Sequence, residues 1–284
     1  MRISNAMMAE NIKGYLFKQT KLLLRTQEQI ASGKRINRPS DDPIGMGQAM
    51  GYRNTIAKLQ QFNSNINDAK FHIKLVEDVL NNVTELLKDA KDIAADPQPS
   101  MRDRWADEVQ TIREQVLQMV NTRNNGKFIF SGNLVNTPPF DANTYAYQGD
   151  GGTKDVNISE GLSISLEMDG SAIFGTIFDT LTNLEADLRN NNVNGISSRQ
   201  AEFDDIINIL NTTRAVNGGQ YKRLEATESF NDRFRLNAEN LLSRTEDTDI
   251  AAAAIDLKIQ QTALESTLAT AAKIIQPSLI NFLK

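Results

Sequence analysis

Cysteine is absent from this chain of 284 residues, and histidine and tryptophan occur once each. Without thiols there is no disulfide framework and no thiolate nucleophile or metal ligand. A lone histidine, His72, excludes a zinc site of the usual Cys/His kind. No run of 18 or more apolar residues occurs, so no membrane-spanning helix is expected. Near the start, Ile3, Met7, Met8 and Ile12 are interleaved with polar residues, so no secretory signal peptide is expected either. Hydrophobic residues make up 40%, low for one compact globule but suited to long helices that each bury a single stripe.

Groups that converge for catalysis are equally scarce. No phosphate-cradling glycine loop is present, and Gly149 to Gly152 reads as a turn between strands. The pairs Asp41-Asp42 and Asp204-Asp205 read as helix caps and solvated faces. His72 adjoins an apolar stripe position and Trp105 sits on an apolar face, so both read as structural. No catalytic residue, cofactor or metal is expected, and the chain is not expected to be an enzyme.

Net charge is −5, which argues against a general nucleic-acid binder. The distribution is uneven. Residues 1–40 hold eight basic and two acidic residues, a balance of +6, and the remainder carries −11. The basic arm reads as the solvated face of a helix that meets acidic neighbours, with neither nucleic acid nor membrane as partner.

Helical periodicity is what the sequence has in abundance. From Thr245 onward, steps of three and four pick out Ile250, Ala254, Leu257, Gln261, Leu264, Leu268, Ala271, Ile275, Ser278 and Phe282. That is the narrow seam of a helix paired with another helix. Asp247 or Thr248 is the expected cap. Residues Ile3 to about Ala31 show a weaker stripe of Met8, Ile12, Tyr15, Leu22, Leu23 and Ile30, with Gln19 and Thr26 interrupting. Ser32-Gly33 ends it. Asp41 or Asp42, followed by Pro43 at the first helical position, starts the next helix. Its stripe is the clearest in the chain, from Ile56 and Leu59 through Asn63, Ile66, Ala69, Ile73, Val76, Leu80, Val83 and Leu87 to Ala90 and Ala94. Asp96-Pro97-Gln98-Pro99 breaks it, and a third helix carries Trp105, Val109, Ile112, Val116 and Met119.

The middle of the chain changes character. Lys127–Ser131, Thr144–Gln148, Lys154–Ser159 and Leu162–Glu167 carry strand signals between turns. Helical periodicity resumes at Ile177. A long helix from about Ser197 to Ser243 turns Phe203, Ile206, Leu210, Tyr221, Leu224 and Phe234 inward, with a kink expected at Asn217-Gly218-Gly219. The expected fold is therefore mainly α: long antiparallel helices, with the N- and C-terminal helices paired as a coiled coil, plus a small inserted β domain. Five segments follow: 1–42, an N-terminal coiled-coil helix and loop; 43–126, the first half of a helical rod; 127–175, the β insertion; 176–244, the second half of the rod; and 245–284, the C-terminal coiled-coil helix.

Certain residues carry a family likeness. The block from Ala31 to Pro43, with Asn63, Asn67 and Ala69, resembles the N-terminal region of the bacterial flagellin superfamily. Thr245 to Ala252 and Ser278 to Leu283 are similar to its C-terminal region. The opening Met1-Arg2-Ile3-Ser4, Arg38-Pro39-Ser40-Asp41-Asp42-Pro43, and the run Phe130-Ser131-Gly132 with Thr137–Phe140 and Tyr145–Asp150 resemble the branch at the junction of hook and filament. Asp89 stands where flagellins tend to carry arginine, so recognition by innate immune receptors does not carry over.

The resemblance implies a structural flagellar protein, exported unfolded through the type III apparatus without a cleaved signal and found outside the cell. Its implied partners are further copies of itself, the first hook-associated protein, flagellin, and an export chaperone that holds the C-terminal helix. The expected assembly residues are Met8, Ile12, Tyr15, Leu22, Ile30, Ile250, Leu257, Leu264, Leu268, Ile275 and Phe282. Both termini are expected to become ordered helix on assembly. Two other readings stand beside this one: the flagellin filament subunit, and a cytosolic coiled-coil scaffold.

Overall fold

The computed structural model describes residues 5–95, 98–167 and 169–282, without the side chains of residues 5, 6, 9, 167 and 273–282. In chain order the elements are α1 (Asn5–Ser32), α2 (Pro43–Ala95), a single 3-10 turn (Pro99–Met101), α3 (Arg102–Val120), β1 (Arg123–Asn124) and β2 (Lys127–Phe128). They continue with β3 (Thr153–Ser159), β4 (Leu162–Glu167), α4 (Gly170–Phe174), α5 (Ile177–Arg189), α6 (Val193–Glu246) and α7 (Ile250–Phe282). The mainly helical class with a small antiparallel β region is as the sequence predicts.

The chain divides into two compact units. The first comprises Met1–Lys58 and Phe234–Lys284. In it α1 and α7 lie against each other. They run antiparallel, since the N–H of Thr248 at the start of α7 donates to the Gly33 carbonyl at the end of α1. Gly33 stops α1 with φ +70°, the left-handed conformation that glycine adopts most readily. Asp42 caps α2 by accepting the Gly45 N–H at 2.9 Å, and Pro43 takes the first helical position. The cap of α7 is Asp249, which accepts from Ala251 and Ala252. Asp247 and Thr248 are not available for that task. The Asp247 N–H still bonds back to Ser243, and both residues are tied to the loop after α1.

The second unit is Leu59–Arg233. Its main core runs along α2, α3, α5 and α6, where Leu80, Val83, Leu87, Val109, Val116, Leu181, Leu184, Phe203 and Leu210 have no exposed surface. These are the periodic positions of each helix, so a single apolar face per helix builds the core. Phe130, Phe140, Phe174 and Phe178 close one end. Phe130 and Phe174 meet edge to face at 4.9 Å, and Phe140 stands 5.0 Å from Phe178. Asn121 holds this corner as a strand would: its side chain accepts from the Phe140 N–H at 3.0 Å and donates to the Phe140 carbonyl at 2.9 Å.

β3 and β4 form the antiparallel hairpin that the alternating pattern predicts, with an irregularity between Asn157 and Ser159. It buries Ile158, Ile164 and Leu166 on Ile66, Ala69, Ile73 and Leu224. Side-chain amides grip its backbone. Asn65 donates to the Asn157 carbonyl at 2.8 Å, Asn231 to that of Ile158 at 3.0 Å, and Gln220 to that of Ser165 at 3.4 Å.

Two further expectations need correction. Thr144–Gln148 is not a strand: Tyr145 has φ +58°, and only Tyr147 bridges, to Phe140. Its aromatics serve packing instead, Tyr145 stacking on Phe178 at 5.2 Å. α6 runs through Asn217-Gly218-Gly219 without a break. Phe234 is 49% exposed rather than inward, because the buried positions after Leu224 are Asn231 and Ala238, one heptad apart each time.

Candidate assembly surface

The candidate surface is the α1/α7 pair and the loop that roots it. In α1, Ile12, Leu16, Gln19, Leu23 and Ile30 are half-buried and Thr26 is buried, at alternating steps of four and three. In α7 the corresponding positions are Ala253, Leu257, Gln260, Leu264, Thr267 and Ala271. Both are seams of coiled-coil spacing. Gln19 and Thr26, which interrupt the apolar stripe of the sequence, therefore belong to the seam. Thr26 satisfies its hydroxyl on the Leu22 carbonyl at 3.2 Å.

The candidate residues divide accordingly. Ile12, Ile30, Leu257 and Leu264 are half-buried at seam positions. Met8, Tyr15, Leu22, Ile250 and Leu268 are exposed, Tyr15 at 66%. The side chains of Ile275 and Phe282 lie outside the described residues. Tyr15 lines one wall of an open groove of about 330 Å³ with Ile12, Gln19, Thr267, Thr270 and Ala271. Further large apolar side chains face solvent in this unit: Phe17 and Leu24 on α1, Ile44 and Met50 on α2, Ile255 and Ile259 on α7. Phe17 and Ile44 are 74% and 77% exposed. So many exposed apolar residues on paired helices form a surface of the kind that other chains cover.

The loop 33–42 is locked from several sides. Asp41 accepts from the N–H groups of Asn37 and Arg38 and stands 3.5 Å from Arg25. Ile36 is buried, at 2% exposure. Lys34 and Asp247 bridge, and Glu246 takes Lys34 and Arg53 on its carboxylate. Sequence reasoning did not single out Glu246 or Arg53. They lie 193 residues apart, and no spacing rule connects them.

The chemistry available here is packing and charge pairing. Among the described residues no group of three His, Asp or Glu side chains could hold a metal ion, and no helix is long and apolar enough to cross a membrane.

Known proteins resemble this chain in sequence and fold. Residues 3–134 match the family described as the bacterial flagellin N-terminal helical region. Flagellar hook-associated protein 3 of Salmonella typhimurium is 27% identical over 95% of this chain and 96% of its own. The Escherichia coli protein of the same name is 28% identical over 94% and 95%. A flagellin of Bacillus subtilis is 24% identical over 88% of each chain. Among solved structures, a protein described as flagellar hook-associated from Vibrio parahaemolyticus matches with a TM-score of 0.68 at 19% identity, covering 73% of this chain and all of that one. FlgL of Bacillus cereus gives 0.63 at 18%, covering 68% and 99%.

Residues 3–134, just under half of the chain, thus resemble the N-terminal helical region of bacterial flagellins. The chain as a whole is similar to flagellar hook-associated protein 3, over nearly the full length of both.

Proposed function

We propose that the chain is a structural subunit of the bacterial flagellum that joins the hook to the flagellin filament. The observation that carries this reading is the likeness to flagellar hook-associated protein 3 over nearly the full length of both chains. The exposed apolar residues of α1, α2 and α7 support it, since a subunit that stacks needs such a surface. The filament-subunit reading is weaker, because the flagellin of Bacillus subtilis is less similar over a smaller share of the chain.

In this function, copies of the chain form a ring or tube. The first hook-associated protein lies on one side and flagellin on the other, and export without a cleaved signal brings the subunit to the cell surface. An export chaperone holds the C-terminal helix beforehand. Residues 1–42 and 245–284 form the inner coiled coil, 43–126 and 176–244 the rod, and 127–175 faces outward. The terminal helices settle fully when neighbours cover Met8, Tyr15, Leu22, Ile250 and Leu268.

Electron microscopy of cells lacking the gene tests the reading. Hooks without filaments, restored by the gene in trans, are expected. Normal filaments on such cells would overturn it.

A further inference from the structure

Of the described residues, Glu246 is the one buried carboxylate, 3% exposed. It closes α6, where the chain turns through residues 247–249 into α7. Its carboxylate pairs with Lys34 in the loop after α1 and with Arg53 on α2. Its carbonyl accepts the N–H of Arg35 at 2.6 Å and of Ile36 at 3.4 Å. The neighbouring Thr245 carbonyl accepts Arg35 Nη2 at 2.7 Å.

Two connections thus lie side by side, 33–42 between α1 and α2 and 247–249 between α6 and α7. The terminal pair is joined covalently to α2 and α6 through these two alone. In the other ion pairs of the loop the arginine is about half exposed or more and the carboxylate is not buried: Arg25–Asp41 at 3.5 Å, Arg35–Asp42 at 3.5 Å and Arg38–Glu28 at 3.1 Å. Pairs of that kind add little. Glu246 differs in its own burial: Lys34 and Arg53 are 42% and 45% exposed, as the arginines of those pairs are, but they meet on one carboxylate that is 4% exposed, so its loss unties the α1–α2 loop and α2 from the end of α6 together.

We propose that Glu246 is a charge latch on this double connection. With the carboxylate in place, the α1/α7 pair is held in one direction on α2 and α6 of its own unit. Neutralising that one group frees the pair to swing as a body while the rest of the chain stays folded. The latch works in the isolated chain and does not depend on the junction reading.

The absence of cysteine makes the test clean. Thr20→Cys on α1 and Asn54→Cys on α2, both exposed, place two spin labels in the full-length protein. With Glu246 intact, one narrow distance distribution is expected. Glu246→Gln should broaden it and speed amide exchange in α1 and α7 about tenfold, with α3 and α5 unchanged. Lys34→Met, which keeps the Arg53 pair, should give a smaller effect. A distribution as narrow as before overturns the proposal. So does an exchange rise of the same size in α3 and α5, which would make Glu246 a general stability residue. If Glu246→Gln does not fold, the double variant Lys34→Met with Arg53→Met takes its place. Broadening with faster exchange in α1 and α7 alone again supports the latch, and an unchanged distribution or a uniform rise in exchange again overturns it.

Discussion

Asp42 and Gly45 are mutually dependent: the Asp42 carboxylate accepts the Gly45 N–H at 2.9 Å, and a Cβ on Gly45 would stand 2.5 Å from Asp42 Oδ2 and 2.7 Å from Ile36 Cδ1. Gly45→Ala inside a helix ordinarily stabilises by about 1 kcal/mol. Here the added methyl pushes on the cap and on a buried isoleucine. A net loss of about 1 kcal/mol is expected, similar to Asp42→Ala. Urea unfolding of the two variants and their combination checks this. The combined loss should fall short of the two single losses together, because both act on one cap.

His72 gives a clean pH signature, being the only histidine. Burial holds its imidazole below the ordinary value, and the nearby Lys154 adds to the effect. Its Nε2 is buried without a hydrogen-bond partner. Asp68, Lys127 and Lys154 line the same cavity of about 510 Å³. With the folded pKa depressed, the native state takes up the proton less readily than the unfolded chain. The stabilising contribution is complete above the unfolded value of about 6.5 and declines as pH falls below it. Denaturant unfolding at pH 7.5 and 5.5 should show a loss in the native protein and a flatter response in His72→Gln.

Asn231 has no exposed surface, and its amide donates to the Ile158 carbonyl. Asn231→Ala leaves that carbonyl unsatisfied and should lower stability by about 1–3 kcal/mol. Amide exchange in β3 and β4 should rise more than in α3 or α5.

Phe174 packs edge to face on Phe130 with no exposed surface. Truncation to alanine should cost about 3–5 kcal/mol, read as a lower unfolding midpoint in urea.

The outward apolar residues should behave in the opposite way. Ile250→Ser and Leu268→Ser change side chains that are half exposed or more. Monomer stability should move by no more than about 0.5 kcal/mol. If these positions are covered on assembly, swimming and filament attachment are lost. Retained motility with both changes would remove them from the interface.

Much of the fold was legible because each helix of the second unit has one apolar face. Leu59, Ile66, Ile73, Leu80 and Leu87 are buried just where counting by threes and fours puts them. The Asp42-Pro43 start and the β3–β4 hairpin were legible through turn chemistry and alternation. The terminal helices were harder. α1 carries apolar residues on several faces, and periodicity cannot say which face the chain covers itself. Gln19 and Thr26 thus occupy the seam while Tyr15 and Leu22 face solvent. The α7 cap was misplaced by one or two residues: Asp247 and Thr248, expected to cap, are used elsewhere by the fold, and the adjacent Asp249 takes the task. Glu246 was illegible for a related reason. Its partners converge only in the folded chain, and an isolated glutamate at a helix end looks like any solvated one.

The amides of Asn65, Gln220 and Asn231 hold the hairpin by main-chain oxygens, which every amino acid supplies alike. Outward residues such as Thr153, Asp155 and Ser163 therefore take no part in the grip. The exposed face of this hairpin is free to be rewritten residue by residue while the frame beneath it stays the same.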